Sequence, residues 1–308
     1  MIKYALDHGN NAVVVVFSRG SDEWSGELRA QWIRTTFPKV EVLHIPMDFC
    51  DPWDEQSWEP WVSVLKGVGH DVTHLVTSED YGAETARLCG WKHNPFDITR
   101  NRYCISATDI RQNILKHWKF IPTSVRPSLV KRIALVGAES TGKSTIARDV
   151  AKRLDAPCID EYGRTYCEWK PILQLGARDF EAIACHQRSL EDRAAVDSNG
   201  LIICDTEIVV TRAWSRHLLG FESEGIRDKI NSYDLYAVTN PSTNWEQDGT
   251  RVCSDQSIRT TFQTFILSEL DKHRCDYVQL PHRLDDATRT LTETIKTKFP
   301  ETQNWKDL

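Results

Sequence analysis

The residues GAESTGKST, 137 to 145, fit the spacing G-x-x-x-x-G-K-S through Gly137, Gly142, Lys143 and Ser144. Each residue type has its own task. The glycines let the backbone curl until successive N–H groups converge on one anion. A helix opening near Lys143 adds its positive N-terminal end. The Lys143 ammonium reaches β- and γ-phosphates, and the Ser144 hydroxyl is a ligand for Mg²⁺. Ser140, Thr141 and Thr145 complete the polar lining of this loop. The chemistry is binding of a nucleoside triphosphate with Mg²⁺.

A chance match is argued against by what surrounds the loop. KRIALVG upstream is a short, apolar, β-branched run, and KSTIARDVAKRL downstream places Ile146, Val150 and Leu154 at helical spacing. Strand, glycine-rich turn and helix are the elements that must hold such a site. A second apolar run, LIICDTE (201 to 207), ends in Asp205, the position from which a carboxylate holds Mg²⁺ through water. An acid there is also a common helix cap, and its pairing with the loop favours the metal role.

Residues around these two motifs indicate the reaction. N-K-x-D, which reads guanine, is absent, so a GTPase is not expected. APCID is a short strand running into DEYGRTYCE, so Asp160 and Glu161 stand where a kinase needs a base to accept a hydroxyl proton. The same acids would also suit a plain helix start. Arg164 and Glu168 come next at helical intervals. NPSTNWEQDGTRVCSDQSIR (240 to 259) carries Arg251 and Arg259 where a lid would close on phosphates; a solvated loop has the same composition.

The residues before the loop have their own rhythm. NAVVVVFS (11 to 18), VEVLHIP (40 to 46) and THLVTS (73 to 78) read as strands. ELRAQWIRTTF and SWEPWVSVLKGV read as helices between them, a second β-α-β arrangement with a parallel sheet. ISATDIR (105 to 111) is a capped helix start or a triphosphate cradle. Prolines in HWKFIPTSVRPSLVKR mark a junction, giving domains of residues 1–122 and 123–308.

Composition bounds the rest. With 308 residues, 40% hydrophobic and 27% charged, the chain has the make-up of a globular protein of roughly two domains. The net charge of -6, without a basic tail, argues against general nucleic-acid binding. No apolar run has the length of a membrane span. The nine cysteines form no C-x-x-C pair, so reduced thiols and a cytoplasmic location are expected. Oligomeric state is left open.

Taken in order, ISATDIR, WKFIP, GAESTGKS, EYGR, CDTE and QDGTR resemble the NadR family, bifunctional nicotinamide-nucleotide adenylyltransferases and ribosylnicotinamide kinases. The resemblance runs along essentially the whole chain. It implies two α/β nucleotide-binding domains, a Rossmann-like nucleotidyltransferase and a P-loop kinase. The kinase would phosphorylate nicotinamide riboside to nicotinamide mononucleotide, and the first domain would adenylylate that product to NAD. By the same resemblance Ser106, Thr108 and Arg111 bind ATP phosphates, and Glu161, Tyr162 and Arg164 form the nucleoside side, with Glu161 the preferred base. Family members often carry an aromatic residue where Asp160 stands.

One departure is large. Adenylyltransferases of this type open with a strand and a Gly-x-Phe-x-Pro-x-His-x-Gly-His turn, which this sequence lacks. MIKYAL resembles the helix after that turn, and His8-Gly9 is expected in a loop beyond it. The chain thus reads as N-terminally truncated, missing the domain's first strand, with adenylyl transfer impaired. Met1 is open between a true start and an internal methionine. The family's DNA-binding segment is also absent, so no DNA partner is expected. The competing class is a regulatory ATP-binding protein whose first half is an interaction module.

Overall fold

The computed structural model describes all residues except 10, 48–57, 69–70, 231–232, 242–254 and 302–308. It divides into two compact units, Met1–Gln112 and Asn113–Leu308. The division falls before residue 122 because the intervening segment packs into the second unit. Leu115 belongs to that unit's main core, and the Trp118 indole donates to the Ser198 carbonyl at 2.7 Å.

The second unit is built on a parallel sheet. Its strands are β5 (Lys131–Val136), β6 (Cys158–Ile159), β7 (Leu201–Asp205), β8 (Leu235–Val238) and β9 (Tyr277–Gln279), in the order β6-β7-β5-β8-β9. β5 and β7 read as unbroken apolar runs because a central parallel strand is covered on both faces; Ile133, Ala134, Leu135 and Val136 are fully buried. After the short α6 (Arg126–Leu129), helix α7 (Lys143–Arg153) follows β5 and packs beside α12 (Leu284–Lys298). Ala287, Leu291 and Ile295, one helical turn apart, are fully shielded on the inner face of α12.

Helices α8 (Tyr162–Cys167), α9 (Ala177–Asp197), α10 (Ile208–Leu219) and α11 (Gln256–Lys272) complete this unit. The buried stripe of α9 contains Phe180, Ile183, Gln187, Glu191 and Ala195. Two polar residues in that stripe hide the helix from a hydrophobic pattern. Their partners lie far along the chain: Glu191 accepts from the Tyr233 hydroxyl at 2.6 Å and faces Arg132 at 3.5 Å. Arg212 on α10 is fully buried and binds Glu222 at 2.7 Å and Glu269 at 2.5 Å, tying α10 to α11.

The first unit contains strands β1 (Val13–Ser18), β2 (Glu41–Pro46), β3 (His74–Thr77) and β4 (Lys92–Pro95). Its helices are α1 (Ile2–His8), α2 (Gly26–Thr36), α3 (Trp58–Lys66), α4 (Gly82–Cys89) and α5 (Ala107–Gln112). The single parallel sheet expected there is, among the described residues, two parallel pairs, β1 with β2 and β3 with β4. The pairs share one device. Ser18 hydrogen-bonds the His44 imidazole at 2.7 Å, and Thr77 hydrogen-bonds that of His93 at 2.9 Å. In each case the hydroxyl ends the first strand and a glycine opens the following helix against the pair. A Cβ on Gly26 would lie 2.4 Å from the Ser18 hydroxyl, and one on Gly82 would lie 1.8 Å from that of Thr77. Although Glu27 lies 3.5 Å from His44, the covering helix backbone makes this group a packing pin and not a nucleophile. His8 ends α1, bonded to the Tyr4 carbonyl, and is not in a loop.

No helix among the described residues is long and apolar enough to cross a membrane.

Candidate functional site

The loop between β5 and α7 takes the conformation that its sequence demands. Gly137, Ser140 and Gly142 have φ of 145°, 59° and 83°, and the non-glycine Ser140 occupies the left-handed region. A Cβ at Gly137 would lie 2.8 Å from the Thr239 carbonyl oxygen, a backbone atom that does not yield. The loop is also pinned from outside, since Thr141 and Thr239 hydroxyls are 2.6 Å apart. Gly142 is the N-cap of α7, so Lys143 and Ser144 lie in its first turn, with Ser144 part-buried and Thr145 exposed.

Lys143 is buried, its ammonium donating to the Gly137 and Ala138 carbonyls at 3.1 and 2.8 Å. Burial lowers its pKa, opposed by the charges of Glu161 and Asp205. Asp205 ends β7 opposite Leu135, two residues before Gly137. It is 1% exposed, and Oδ1 has no hydrogen-bond partner among the described residues. An orphaned carboxylate oxygen beside a phosphate-type loop suits a Mg²⁺ bound through water, with Ser144 as the other protein ligand.

Glu161 and Asp160 separate. Glu161 lines the same cavity as Lys143, accepts from the Arg164 guanidinium at 3.1 Å, and its carboxyl pKa is raised by burial. Asp160 is two-thirds exposed, pairs with Arg148 at 2.8 Å, and is not among the residues lining the cavity. The expected second catalytic acid is therefore a surface ion pair. The two side chains part because Glu161 is the N-cap of α8 while Asp160 precedes it. Arg164 lines the cavity, whereas the Tyr162 ring stacks outside it on His186 with centroids 5.0 Å apart.

Beyond the phosphate end the cavity is apolar, walled by Leu175, Phe180, Ile183, Val210, Trp214 and Phe262. Trp214 and Phe262 meet edge to face at 4.9 Å. These walls are not legible in the sequence, because they come from α9, the segment just before it, α10 and α11. Of the expected lid arginines, Arg251 lies outside the described residues. Arg259 is 1% exposed on the first turn of α11, hydrogen-bonded to Gln256 at 3.3 Å, so it is a packed residue and not part of an open loop.

In the first unit ISATDIR closes on itself. Ser106 donates to Asp109 at 2.6 Å and accepts from the Asp109 N–H at 3.0 Å, while Arg111 donates to Thr108 at 3.1 Å. This is a capping box on an exposed six-residue helix.

CDTE contains a second acid that motif and spacing do not single out. Glu207, 1% exposed, caps α10 by accepting from the Val209 N–H at 2.7 Å. Burial pushes its pKa up to about 8 from 4.5, and the neighbouring Glu191 adds to the rise. Between those values the folded chain keeps a proton that the unfolded chain has released, so this group makes stability fall as pH rises. Glu207→Gln keeps the capping oxygen and removes the ionisation. The variant is expected to be about 3 kcal/mol more stable at neutral pH, with no gain near the ordinary carboxylate pKa. Urea unfolding across the window checks this; a pH-independent difference would contradict it.

An anion loop between strand and helix, a lysine in the helix's first turn, a buried acid on the neighbouring strand and an apolar cavity define a P-loop nucleotide-binding protein. The AAA domain family matches residues 132–287, just over half of the chain. The chain is 27% identical over 267 residues to the trifunctional NAD biosynthesis/regulator protein NadR of Escherichia coli strain K12, covering 82% of this chain and 64% of that protein. It is also 27% identical over 265 residues to the NadR of Salmonella typhimurium strain LT2, with the same shares. A crystal structure of NadR in complex with NR superposes with a TM-score of 0.75 at 19% identity, covering 97% of this chain and 91% of that one. A NadR complex with NAD and AMP-PNP gives 0.74 at 21% identity over the same shares. The chain belongs to the AAA-domain family of P-loop proteins and is similar along most of its length to NadR proteins. It spans 64% of the length of the curated relatives it matches.

Proposed function

We propose that the second unit phosphorylates nicotinamide riboside with ATP, giving nicotinamide mononucleotide for NAD salvage. The observation that carries this reading is the convergence of Lys143, Glu161 and Arg164 at one end of a cavity whose other end is apolar and aromatic. Such a cavity accepts a nucleoside with its hydroxyl toward the phosphates and its base against Trp214 and Phe262. The relatives named for NAD biosynthesis, and the related fold holding NR, support that choice of nucleoside.

Glu161 takes the proton of the ribose 5′-hydroxyl as its oxygen bonds to the γ-phosphorus. The bond to the β,γ-bridging oxygen breaks, and ADP carries away that electron pair. A carboxyl pKa raised by burial brings this base closer to neutral pH, where proton transfer is most effective. Lys143 exchanges its carbonyl contacts for phosphate oxygens, and Arg164 neutralises charge beside the base. Ser144 and Asp205 would hold a Mg²⁺ bound with the triphosphate, which would supply further neutralisation.

The first unit, by this reading, derives from a nucleotidyltransferase, with Ser106, Thr108 and Arg111 as its phosphate residues. The 308 residues contain no His-x-Gly-His turn, so this polypeptide is expected to convert little of the mononucleotide to NAD. The kinase assignment is tested on a panel of acceptors, nicotinamide riboside against adenosine, uridine and thymidine, monitored by ADP release. The riboside is expected to have the highest kcat/KM; preference for a purine or thymidine would refute the substrate assignment.

A further inference from the structure

Gln187 stands in the middle of α9, 5% exposed, and lines the same cavity as Lys143 and Glu161. Its Oε1 accepts from the Tyr162 backbone N–H at 2.8 Å. A backbone N–H only donates, so this contact fixes which end of the amide is oxygen. Nε2 then projects on the other side, where it is buried and has no hydrogen-bond partner among the described residues. A buried donor left unpaired is costly and rare, and in a native site it calls for a partner. A Leu at this position would extend the stripe of Phe180 and Ile183 with no such penalty.

The missing partner has a definable chemistry. Nε2 is a neutral donor, so it matches an oxygen acceptor. Phosphate is a poorer match, because the donor carries no charge and the amide is anchored on the Tyr162 N–H next to the Glu161 carboxylate. The Oε1 contact also caps the first N–H of α8, the helix whose N-cap is Glu161. One side chain therefore braces the base and presents a donor to whatever lies beside it.

We propose that Gln187 is a specificity-determining residue whose Nε2 donates to a neutral oxygen of the bound nucleoside, a sugar hydroxyl or the carboxamide oxygen of the base. This rests on the reading of the cavity as a riboside kinase site. The geometry makes the amide a selector: a nucleoside lacking that oxygen leaves the donor buried and unpaired.

Two variants separate this role from bracing alone. Gln187→Glu keeps an oxygen for the Tyr162 N–H and loses the donor; Gln187→Met removes both without adding charge. Each is assayed with nicotinamide riboside, its 2′-deoxy and 3′-deoxy forms, and the pyridine riboside without a carboxamide. Both variants are expected to raise KM for the full riboside roughly 10–100-fold, with KM for ATP unchanged. One analogue, already weak with the wild type, should show no further loss, and its identity names the oxygen. Equal losses on every acceptor, or an unchanged KM, would overturn the proposal. If the wild type phosphorylates no riboside, the functional reading fails by itself. Calorimetric titration of the same four compounds then reads the selectivity without turnover, and equal affinities for all four, or no binding, would overturn the role of Gln187.

Discussion

Lys143→Ala is expected to reduce kcat for riboside phosphorylation by roughly 10³-fold or more while the protein stays folded. Lys143 supplies the one ammonium in the first turn of α7, and the proposed reaction spreads negative charge over the transferring phosphoryl group. In the resting site its ammonium donates to the carbonyls of its own loop, Gly137 and Ala138, so its removal breaks no hydrogen bond to a distant element. Circular dichroism and thermal unfolding alongside the assay separate the two effects. A variant that keeps its fold and more than a tenth of wild-type turnover would refute the assignment of the phosphate site.

Glu161→Gln is expected to cost about 10²–10⁴-fold in kcat, the range for removing a general base. The pH profile carries the sharper information. Burial raises the Glu161 carboxyl above 4.5, with Lys143 opposing that rise. The base works only when ionised, so kcat/KM should climb with pH through this raised value and level off above it. The acid limb lies above the ordinary carboxylate range, and Glu161→Gln should abolish it. Asp160→Asn is the control: its carboxylate pairs with Arg148 at the surface, and its profile should overlay the wild type. An acid limb that persisted in Glu161→Gln but vanished in Asp160→Asn would reverse the assignment.

The parts of this site that the sequence announces are those made by neighbouring residues. The phosphate loop is contiguous, and strand, turn and helix appear in order around it. Asp205 is legible because an apolar strand delivers it to the end of the sheet next to β5. The acceptor side is a different matter. Its walls come from α9, the segment just before it, α10 and α11, and α9 hides its inner face behind Gln187 and Glu191, two buried polar residues whose partners are remote in sequence. Glu161 and Asp160 cannot be told apart from types and spacing, since only the turn into α8 decides which one faces inward.

The first unit shows the same contrast. β1, β2 and β3 stand out as β-branched or alternating runs, but β4 is Lys-His-Asn-Pro, a composition with little strand preference that no sequence pattern reveals. Proline closing this strand suits an edge position. The hydroxyl–imidazole pins joining Ser18 to His44 and Thr77 to His93 span 26 and 16 residues, beyond any local pattern. The division after Gln112 is likewise hidden: the prolines of the junction are visible, whereas the burial of Leu115 and Trp118 in the second unit is a tertiary fact.

The most direct test of the account is a chromatographic time course of the purified chain with Mg-ATP and nicotinamide riboside. The account predicts nicotinamide mononucleotide accumulating in step with ADP, with little NAD. ATP hydrolysis without any mononucleotide would contradict the kinase assignment and make the cavity a nucleotide-sensing site.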